Sequence, residues 1–411
     1  MIKAILYFCL LFFCISNNIS AQESYVISGI VKDKKEVLPG ASVYVSGYKV
    51  TTVTNGDGKF TLPKLAPGNY DILVQMIGYS PYSKNIIISN QPIQIIIILT
   101  ENTTFLNTVV IKPDPNRPYY ISLFKDYFIG KTPNAADCKI LNTQVLNIDD
   151  DKANRLITIT ASDFLIIENE ALGYRLKYLL ENFEYNYNSK IIYYAGHPYF
   201  EELKGSKAKQ KRWLKKREIA YNGSTQHFFK SLYHNKITEE GFVINKLATI
   251  PNVMRLPDSL INANVKKLTA GRQGLINTLK FNGEDSLSYW IRQRNLPKTM
   301  NTLNRAPILI DTLVKKYNSD LKTMKFNDAL YIIYKNEMED ASYSSSGLRQ
   351  NRPLDIGNFQ ISLLYLREPI ICFYGNGAIL DPKSTLYSGY WGYEKIADMV
   401  PMDYIAGGKK Q

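Results

Sequence analysis

Hydrophobic and polar residues alternate from about residue 25 to residue 111, in short runs separated by residues that favour turns. Successive side chains of a β-strand point to opposite faces, so this alternation places one set in a core and the other outward. Six or seven short strands at regular spacing predict a small all-β sandwich. The expected inward positions are Ile27, Val31, Ala41, Val43, Val45, Phe60, Leu62, Tyr70, Ile72, Val74, Met76, Ile93, Ile95, Ile97 and Leu99.

The breaks between these runs carry turn chemistry. Pro39-Gly40, residues 55–58 (NGDG) and residues 67–69 (PGN) all contain glycine, which tolerates the positive φ that tight turns need. Residues 55–58 are interpreted as a hairpin turn in which Gly58 has a positive φ. The D-x-[DN]-x-[DN]-G-x₅-E pattern of a calcium loop is absent, which favours the hairpin turn over a calcium site at this place.

Three stretches carry a family resemblance: SGIVKDKKEVLPGASVYV, TNGDGKFTL and PGNYDILVQMIGY. In order and spacing they resemble the carboxypeptidase-like regulatory domain, over residues 25–112. The resemblance implies a transthyretin-like, seven-stranded sandwich that is grouped with carbohydrate-binding-like folds. It also implies an accessory or interaction module without an activity of its own, since similar modules precede TonB-dependent outer-membrane transporters of Gram-negative bacteria.

Sugar binding by this sandwich would require an exposed aromatic platform. Tyr44, Tyr48, Tyr79 and Tyr82 are the candidates. Tyrosines on strands more often cap a core, and a fold does not by itself imply a function. The favoured interpretation is therefore a module that holds a partner or stabilises the rest of the chain.

The first 21 residues predict a secretory signal peptide. Lys3 provides a positive start, residues 4–15 are apolar, and Ser20-Ala21 supply small residues before Gln22. The apolar run is too short to span a bilayer, and no later segment has 18 consecutive apolar residues. We therefore expect export, cleavage after Ala21 and no transmembrane helix in the mature chain, which would be periplasmic, outer-membrane-associated or extracellular in a Gram-negative bacterium.

Beyond a proline-rich linker, residues 119–411 predict a larger α+β region. Successive strands with short connections favour an antiparallel meander in its first part. Helices are predicted at residues 119–129, 207–219, 224–233, 274–279 and 286–294. Strands are predicted at residues 156–161, 164–168, 174–180, 183–187, 191–194, 329–334, 361–366 and 370–374.

Three segments of this region resemble, when taken together, secreted bacterial proteins that carry the regulatory domain and a C-terminal region without an assigned activity. They are LFKDYFIGKTPNAADCKILN, KKREIAYNGSTQHFFKSL and GYWGYEKIADMVPMDY. The resemblance brings no catalytic residues, so no catalytic, cofactor-binding or metal-binding residue is assigned from it.

The sequence lacks the motifs of the common hydrolases. None of His197, His227 and His234 belongs to H-x-x-E or H-E-x-x-H, and G-x-S-x-G is absent. Cys138 with His197 or His227 is a conceivable nucleophile pair, but nothing around Cys138 suggests activation. Cys138 and Cys372 are either two buried thiols or a single disulfide, since spacing alone does not show proximity.

The strongest charge signal is the basic segment, residues 204–217 (KGSKAKQKRWLKKR), which contains eight Lys or Arg in a chain of net charge +13. On a helix, Trp213 and Leu214 could anchor the apolar side while the lysines point to water. The segment is either a solvated helix face or a site for an anionic surface such as lipopolysaccharide, anionic lipid or an acidic glycan. The lysines assigned to that surface are Lys207, Lys209, Lys211, Lys215 and Lys216.

These observations favour an exported, non-enzymatic cell-envelope protein that binds an envelope partner or an anionic surface. Nucleic acid is not expected as a partner, because export removes the protein from the cytoplasm. No cofactor is expected. The alternative is a hydrolase of unknown type in residues 119–411, and a pocket with a perturbed His or carboxylate would favour it.

Overall fold

The structure is a computed structural model that describes residues 24–102, 114–270 and 286–408. Contacts between Cα atoms divide the chain into two compact units. Of the described residues, the first unit contains those up to Ile121 together with Lys139–Glu168 and Gly173–Lys204. The second unit contains Ser122–Cys138, Asn169–Leu172 and the described residues from Gly205 onward. The predicted signal peptide and the helix at 274–279 lie outside the described residues, and the domain limits 25–112 and 119–411 stay predictions.

The front of the first unit is a β-sandwich, as predicted. Its strands are β1 Ile27–Lys32, β2 Ser42–Val45, β3 Thr51–Val53, β4 Lys59–Thr61, β5 Gly68–Gln75, β6 Tyr82–Ile88 and β7 Ile93–Ile98. A three-stranded sheet in the order β4-β1-β7 faces a four-stranded sheet in the order β3-β2-β5-β6. β1 runs parallel to β7 and antiparallel to β4, and the pairs of the second sheet are antiparallel.

The sandwich core follows the period-2 alternation. Thirteen of the predicted inward residues are buried in one cluster, and the other two, Met76 and Ile93, are partly buried against it. Tyr44 and Leu73 occupy outward positions in the alternation, yet they are 3% and 0% exposed. They point outward from the sandwich core, as predicted, and are buried there because Phe164 and Tyr199 pack against them.

Gly58 has the positive φ predicted for it, +69°, and a Cβ added there would lie 2.6 Å from the Val31 carbonyl oxygen. We expect Gly58→Val to lower the free energy of unfolding of the mature chain by about 1–3 kcal/mol, because it adds both backbone strain and a steric clash. Gly56→Val is the matched control, since no atom lies within 4 Å of its added Cβ. Equal urea midpoints for the two variants would contradict the assigned turn.

A six-stranded sheet completes the first unit. Its strands are β8 Cys138–Ile140, β9 Leu146–Asp151, β10 Leu156–Ala161, β11 Leu165–Asn169, β12 Tyr174–Asn186 and β13 Ile192–Glu202. The strand order is β8-β11-β12-β10-β9 with β13 paired to β12, and β10 is antiparallel to β9 and β12, as is β13 to β12. The two strands predicted at 174–180 and 183–187 form one long strand, β12, that is interrupted by a bulge between Leu180 and Asn182. The predicted meander was only partly right, because β12 pairs with β10 as well as with its sequence neighbours β11 and β13.

The second unit is mixed, as an α+β region predicts. Its strands are β14 Phe242–Pro251, β15 Thr299–Asn304, β16 Val314–Lys316, β17 Leu321–Met324, β18 Ala329–Met338, β19 Phe359–Leu366, β20 Ile371–Tyr374 and β21 Thr385–Gly389. The main sheet has the order β15-β14-β18-β19-β21, and a three-stranded sheet has the order β16-β17-β20. The largest core cluster of this unit includes Phe228, Phe242, Ile332, Phe373 and Trp391.

The helices predicted at residues 207–219, 224–233 and 286–294 are present, whereas the 12-residue helix Asp258–Thr269 was not predicted. The helix expected at 119–129 is an α-helix that continues as a π-helical turn, Lys125–Ile129. The α-helices are α1 Arg117–Phe124, α2 Lys207–Tyr221, α3 Thr225–Tyr233, α4 Asp258–Thr269, α5 Ser286–Asn295, α6 Ile310–Leu313 and α7 Tyr390–Tyr393. No described helix is long and apolar enough to cross a membrane.

Candidate functional site

The basic segment forms most of α2, which begins after Ser206. The Ser206 hydroxyl accepts a hydrogen bond from the Lys209 backbone N–H at 3.4 Å, which caps the helix. Lys207, Lys209, Lys211 and Lys215 are all exposed. None of these four lysines pairs with a carboxylate of the described residues, so their charge is available to solvent.

Lys216 differs from the other four lysines. It is only partly exposed, and its Nζ lies 3.7 Å from Asp137 Oδ2. Its charge is therefore partly neutralised inside the second unit. The structure reduces the proposed contact surface from five lysines to four.

The positive charges of α2 are placed unfavourably with respect to the helix dipole. Its first turn contains no acidic residue and its last turn contains no basic residue, while the lysines begin at Lys207. Cations are unfavourable at a helix N-terminus, where the dipole is already positive. Helix stability therefore does not explain the position of this charge.

Two residues anchor α2 on its buried side. Trp213 is 5% exposed, and its Nε1 donates to the Glu170 carbonyl oxygen at 2.8 Å. Arg217 is also 5% exposed, and its Nε donates to the Leu172 carbonyl oxygen at 2.7 Å. Leu214 is 54% exposed, so the prediction that it joins Trp213 as an anchor was wrong. Leu214 follows Trp213 by 100° around the helix axis, which turns it away from the buried side.

The three segments singled out by their resemblance meet inside the second unit. The Asp398 carboxylate accepts hydrogen bonds from Thr132 Oγ1 at 2.9 Å and from Asn134 Nδ2 at 2.9 Å. Trp391 Nε1 donates to the Gly223 carbonyl oxygen at 2.6 Å. Each of these bonds joins two of the three segments, so the segments act as one packing unit.

Three carboxyl groups with raised pKa values lie in this part of the unit. Burial raises the pKa of Glu337 to about 7, although hydrogen bonds from Asn222 and Gln360 work in the opposite direction. Burial likewise raises the pKa of Asp398 to about 6. The pKa of Glu394 lies well above its ordinary value because of burial and the nearby charges of Asp398 and Glu337.

Sequence reasoning missed these carboxyl groups. Glu394 and Asp398 lie in the GYWGYEKIADMVPMDY segment, in which no functional residue was predicted. Glu337 follows an apolar run in β18, and its carboxylate accepts hydrogen bonds from the side chains of Asn222 and Gln360, which are distant in sequence. A β-bulge between Tyr334 and Met338 turns this part of β18 out of register with β19. Bulges re-aim side chains next to functional sites, but no sequence pattern marks this one.

The histidines form separate polar contacts. His227 Nδ1 accepts from the Gly223 N–H at 3.1 Å, which leaves the proton on Nε2, 3.2 Å from Glu240 Oε2. Burial lowers the pKa of His227. With both ring nitrogens engaged, His227 is held as a neutral, structural residue.

His197 lies in the first unit, with Nε2 at 3.0 Å from Glu181 Oε1 and Nδ1 at 3.4 Å from Asp71 Oδ2. Burial works to lower the pKa of His197, but the two carboxylates outweigh it and raise this pKa. Within the described ranges, no group of three or more His, Cys, Asp or Glu side chains is arranged to hold a metal ion.

The two cysteines were the remaining sequence candidates for a nucleophile or a disulfide. Cys138 and Cys372 are both free thiols, and burial raises the pKa of Cys138 to about 12, which disfavours the nucleophilic thiolate.

A cleft of about 460 Å³ in the second unit is lined by residues of β14, α6 and the turn before β18. None of the three perturbed carboxyl groups lines this cleft.

The sandwich tyrosines do not form a sugar platform. Tyr44 is buried, and Tyr48, Tyr79 and Tyr82 pack against the sandwich core. The Tyr79 hydroxyl donates to Asp33 Oδ2 at 2.9 Å. These side chains are used for packing, in agreement with the core-capping interpretation.

Comparison with solved structures gives low overall similarity. A mutant type II cohesin–X-dockerin complex of Acetivibrio cellulolyticus matches with 18% identity and a TM-score of 0.17, over 19% of this chain and 58% of that one. A putative carbohydrate-binding protein of Bacteroides uniformis matches with 10% identity and a TM-score of 0.17, over 35% of this chain and 53% of that one. A DUF3823 family protein of Parabacteroides merdae matches with 11% identity and a TM-score of 0.15, over 42% of this chain and 80% of that one. Identities and TM-scores this low support no functional argument.

A search of curated proteins found no match. A family model does match the front of the chain: the CarboxypepD_reg-like domain, over residues 27–111. The matched region contains all seven sandwich strands. Residues 27–111 are therefore a CarboxypepD_reg-like domain, which confirms the resemblance found in the sequence.

Proposed function

We propose that this protein is an exported, non-enzymatic component of a Gram-negative cell envelope that is held at an anionic surface by α2. The observation that carries the proposal is the set of four exposed lysines, Lys207, Lys209, Lys211 and Lys215, on a helix whose other side is anchored by Trp213. Each basic residue close to an anionic membrane contributes about 1 kcal/mol, and the effect falls off within a Debye length. Four such residues acting together support reversible, salt-sensitive attachment.

The CarboxypepD_reg-like domain serves in this proposal as an accessory module that stabilises the first unit. Tyr44 and Leu73 support that role, because they bury the outer side of one sandwich sheet against Phe164 and Tyr199. Two backbone hydrogen bonds add to the contact, from Gly47 N to the Pro198 oxygen at 2.6 Å and from Phe200 N to the Tyr48 oxygen at 3.3 Å.

The test replaces Lys207, Lys209, Lys211 and Lys215 with Gln in the mature chain. We expect binding to vesicles of phosphatidylcholine and phosphatidylglycerol at low salt to weaken about 100-fold or more, measured by sedimentation. Wild type should bind at low salt and be released at high salt. The matched control replaces the exposed Lys266, Lys267, Lys315 and Lys316 with Gln and removes the same charge elsewhere in the unit. The proposal would be wrong if wild type and the α2 variant sediment equally with the vesicles at low salt.

A hydrolase in residues 119–411 is the second candidate, and Glu337 is the observation that favours it. A carboxyl group with a pKa of about 7 is suited to act as a general acid near neutral pH. The discriminating experiment compares wild type with Glu337→Gln on peptide, ester and glycoside substrates. If wild type hydrolyses one of these substrates and Glu337→Gln does not, the protein is a hydrolase and the non-enzymatic proposal is wrong.

A further inference from the structure

Tyrosine rings and basic side chains meet at one end of the six-stranded sheet in the first unit. This tyrosine–cation cluster consists of Tyr119, Tyr187, Arg155 and Lys190. The Tyr119 and Tyr187 hydroxyl oxygens lie 3.4 Å apart. The Arg155 guanidinium lies 5.7 Å from the centre of the Tyr187 ring, and Lys190 Nζ lies 6.0 Å from it. Both cations are therefore within cation–π range of the same aromatic ring.

The cluster is rigidly built although it lies at the surface. The Tyr187 N–H donates to the Arg155 carbonyl oxygen at 2.9 Å, which joins the two hairpin turns that carry the cations. The neighbouring Tyr120 packs edge-on against Tyr119, with ring centres 5.4 Å apart, and its hydroxyl donates to Asp150 Oδ2 at 2.7 Å. Tyr119 itself is 55% exposed, so its ring is held in place and remains accessible.

The two cations occupy backbone positions that do not favour them. Arg155 has φ +52° and Lys190 has φ +58°, and both are non-glycine residues in the left-handed region. Glycine or asparagine is preferred there, because a Cβ brings steric strain. Asn186 and Asp151 already stabilise the two turns through side-chain hydrogen bonds to the backbone. These hydrogen bonds hold the turns without the side chains of Arg155 or Lys190, so turn formation does not explain why basic residues occupy these positions.

The positive charge of this cluster is not neutralised by its neighbours. Arg155 and Lys190 are exposed, and neither pairs with a carboxylate among the residues that the structure describes. Asp150 and Asp151 lie on the strand that precedes Arg155, and their carboxylates accept hydrogen bonds from Tyr120 and Asn154 rather than from either cation. A ligand at the surface therefore meets two unpaired cations, phenol hydroxyls and an accessible ring.

We propose that the tyrosine–cation cluster binds an acidic glycan. A sugar ring packs its apolar C–H face on Tyr119, while its carboxylate or sulfate pairs with Arg155 and Lys190. Sugar hydroxyls bond to the phenols and to the exposed polar groups of Asn154, Asn188 and Ser189 on the two turns. Binding of a single-stranded nucleic acid requires only stacking rings and cations that contact phosphates. The additional neutral hydrogen-bonding groups therefore favour a glycan, which has many hydroxyls to bind. The proposal does not depend on α2, which belongs to the second unit.

The test is affinity electrophoresis of the mature chain in gels that contain polygalacturonate, dextran sulfate or neutral dextran. We expect retardation by an acidic glycan and none by dextran, and the first two gels separate carboxylate from sulfate recognition. Tyr119→Ala, and separately Arg155→Gly combined with Lys190→Gly, should weaken this retardation at least about tenfold. The double glycine variant should keep or raise Tm, because glycine relieves the left-handed strain.

Two control variants make the outcome specific. Tyr317→Ala removes another exposed tyrosine, 69% exposed and in the second unit, and should leave retardation unchanged. The variant in which Lys266, Lys267, Lys315 and Lys316 are replaced by Gln removes the same charge outside α2 and should also bind as wild type does. The proposal is overturned by equal retardation in neutral dextran, by an absence of retardation, or by loss of binding in the α2 variant but not in Tyr119→Ala. Equal competition by a single-stranded oligonucleotide would assign the cluster to nucleic acid instead.

Discussion

Trp391→Ala is expected to lower the free energy of unfolding of the second unit by about 3–5 kcal/mol. Trp391 is 5% exposed and packs against Phe228, with ring centres 5.1 Å apart. Its removal leaves a cavity in the largest core cluster of that unit and an unpaired Gly223 carbonyl oxygen. Urea unfolding followed by far-ultraviolet circular dichroism measures the loss without depending on tryptophan fluorescence.

Two further variants separate the contributions of Trp391. Trp391→Phe keeps most of the ring volume but loses the Nε1–H donor, so it should cost about 1–3 kcal/mol. Trp290→Ala is the matched control, because Trp290 lies partly exposed on α5. A Trp391→Ala variant that unfolds at the same urea concentration as Trp290→Ala would show that this core contact does not hold the unit together.

Glu337→Gln is expected to stabilise the second unit by about 1–3 kcal/mol at pH 8 and to leave it nearly unchanged at pH 4. The pKa of Glu337 is raised to about 7 in the folded protein, chiefly by burial. Between the ordinary value of about 4.3 and 7, the folded state binds more protons at this group than the unfolded state does. The contribution of Glu337 to stability is therefore fully present below pH 4 and is lost as the pH rises through 7.

The measurement is the urea midpoint of wild type and Glu337→Gln across this pH range. Glutamine keeps the shape of the side chain and one acceptor, while it removes the titration. Glu239→Gln is the control, since Glu239 is exposed and should leave the pH dependence as in wild type. A constant difference between wild type and Glu337→Gln from pH 4 to pH 8 would contradict the assigned environment.

Tertiary contacts were hardest to foresee where they join residues that are far apart in sequence. Trp391 meets Gly223 across 168 positions, and Asp398 meets Thr132 across 266. The segments that contain them were recognisable as sequences, but no periodicity in them specifies a contact partner. The raised pKa values of Glu337 and Asp398 have the same origin, because burial depends on what packs around a side chain.

The β-sandwich, its inward residues, the turn at Gly58 and the basic helix α2 could be predicted from the sequence. These features depend on local rules, namely the two-residue period of a strand, the positive φ tolerated by glycine and the 3.6-residue period of a helix. The burial of Tyr44 and Leu73 by Phe164 and Tyr199, and the approach of Arg155 and Lys190 to Tyr187, could not be predicted, because they depend on contacts between separate segments of the chain. Alternation specifies which side of a strand a residue occupies, whereas the solvation of that side depends on chain segments that pack against it from elsewhere in the sequence.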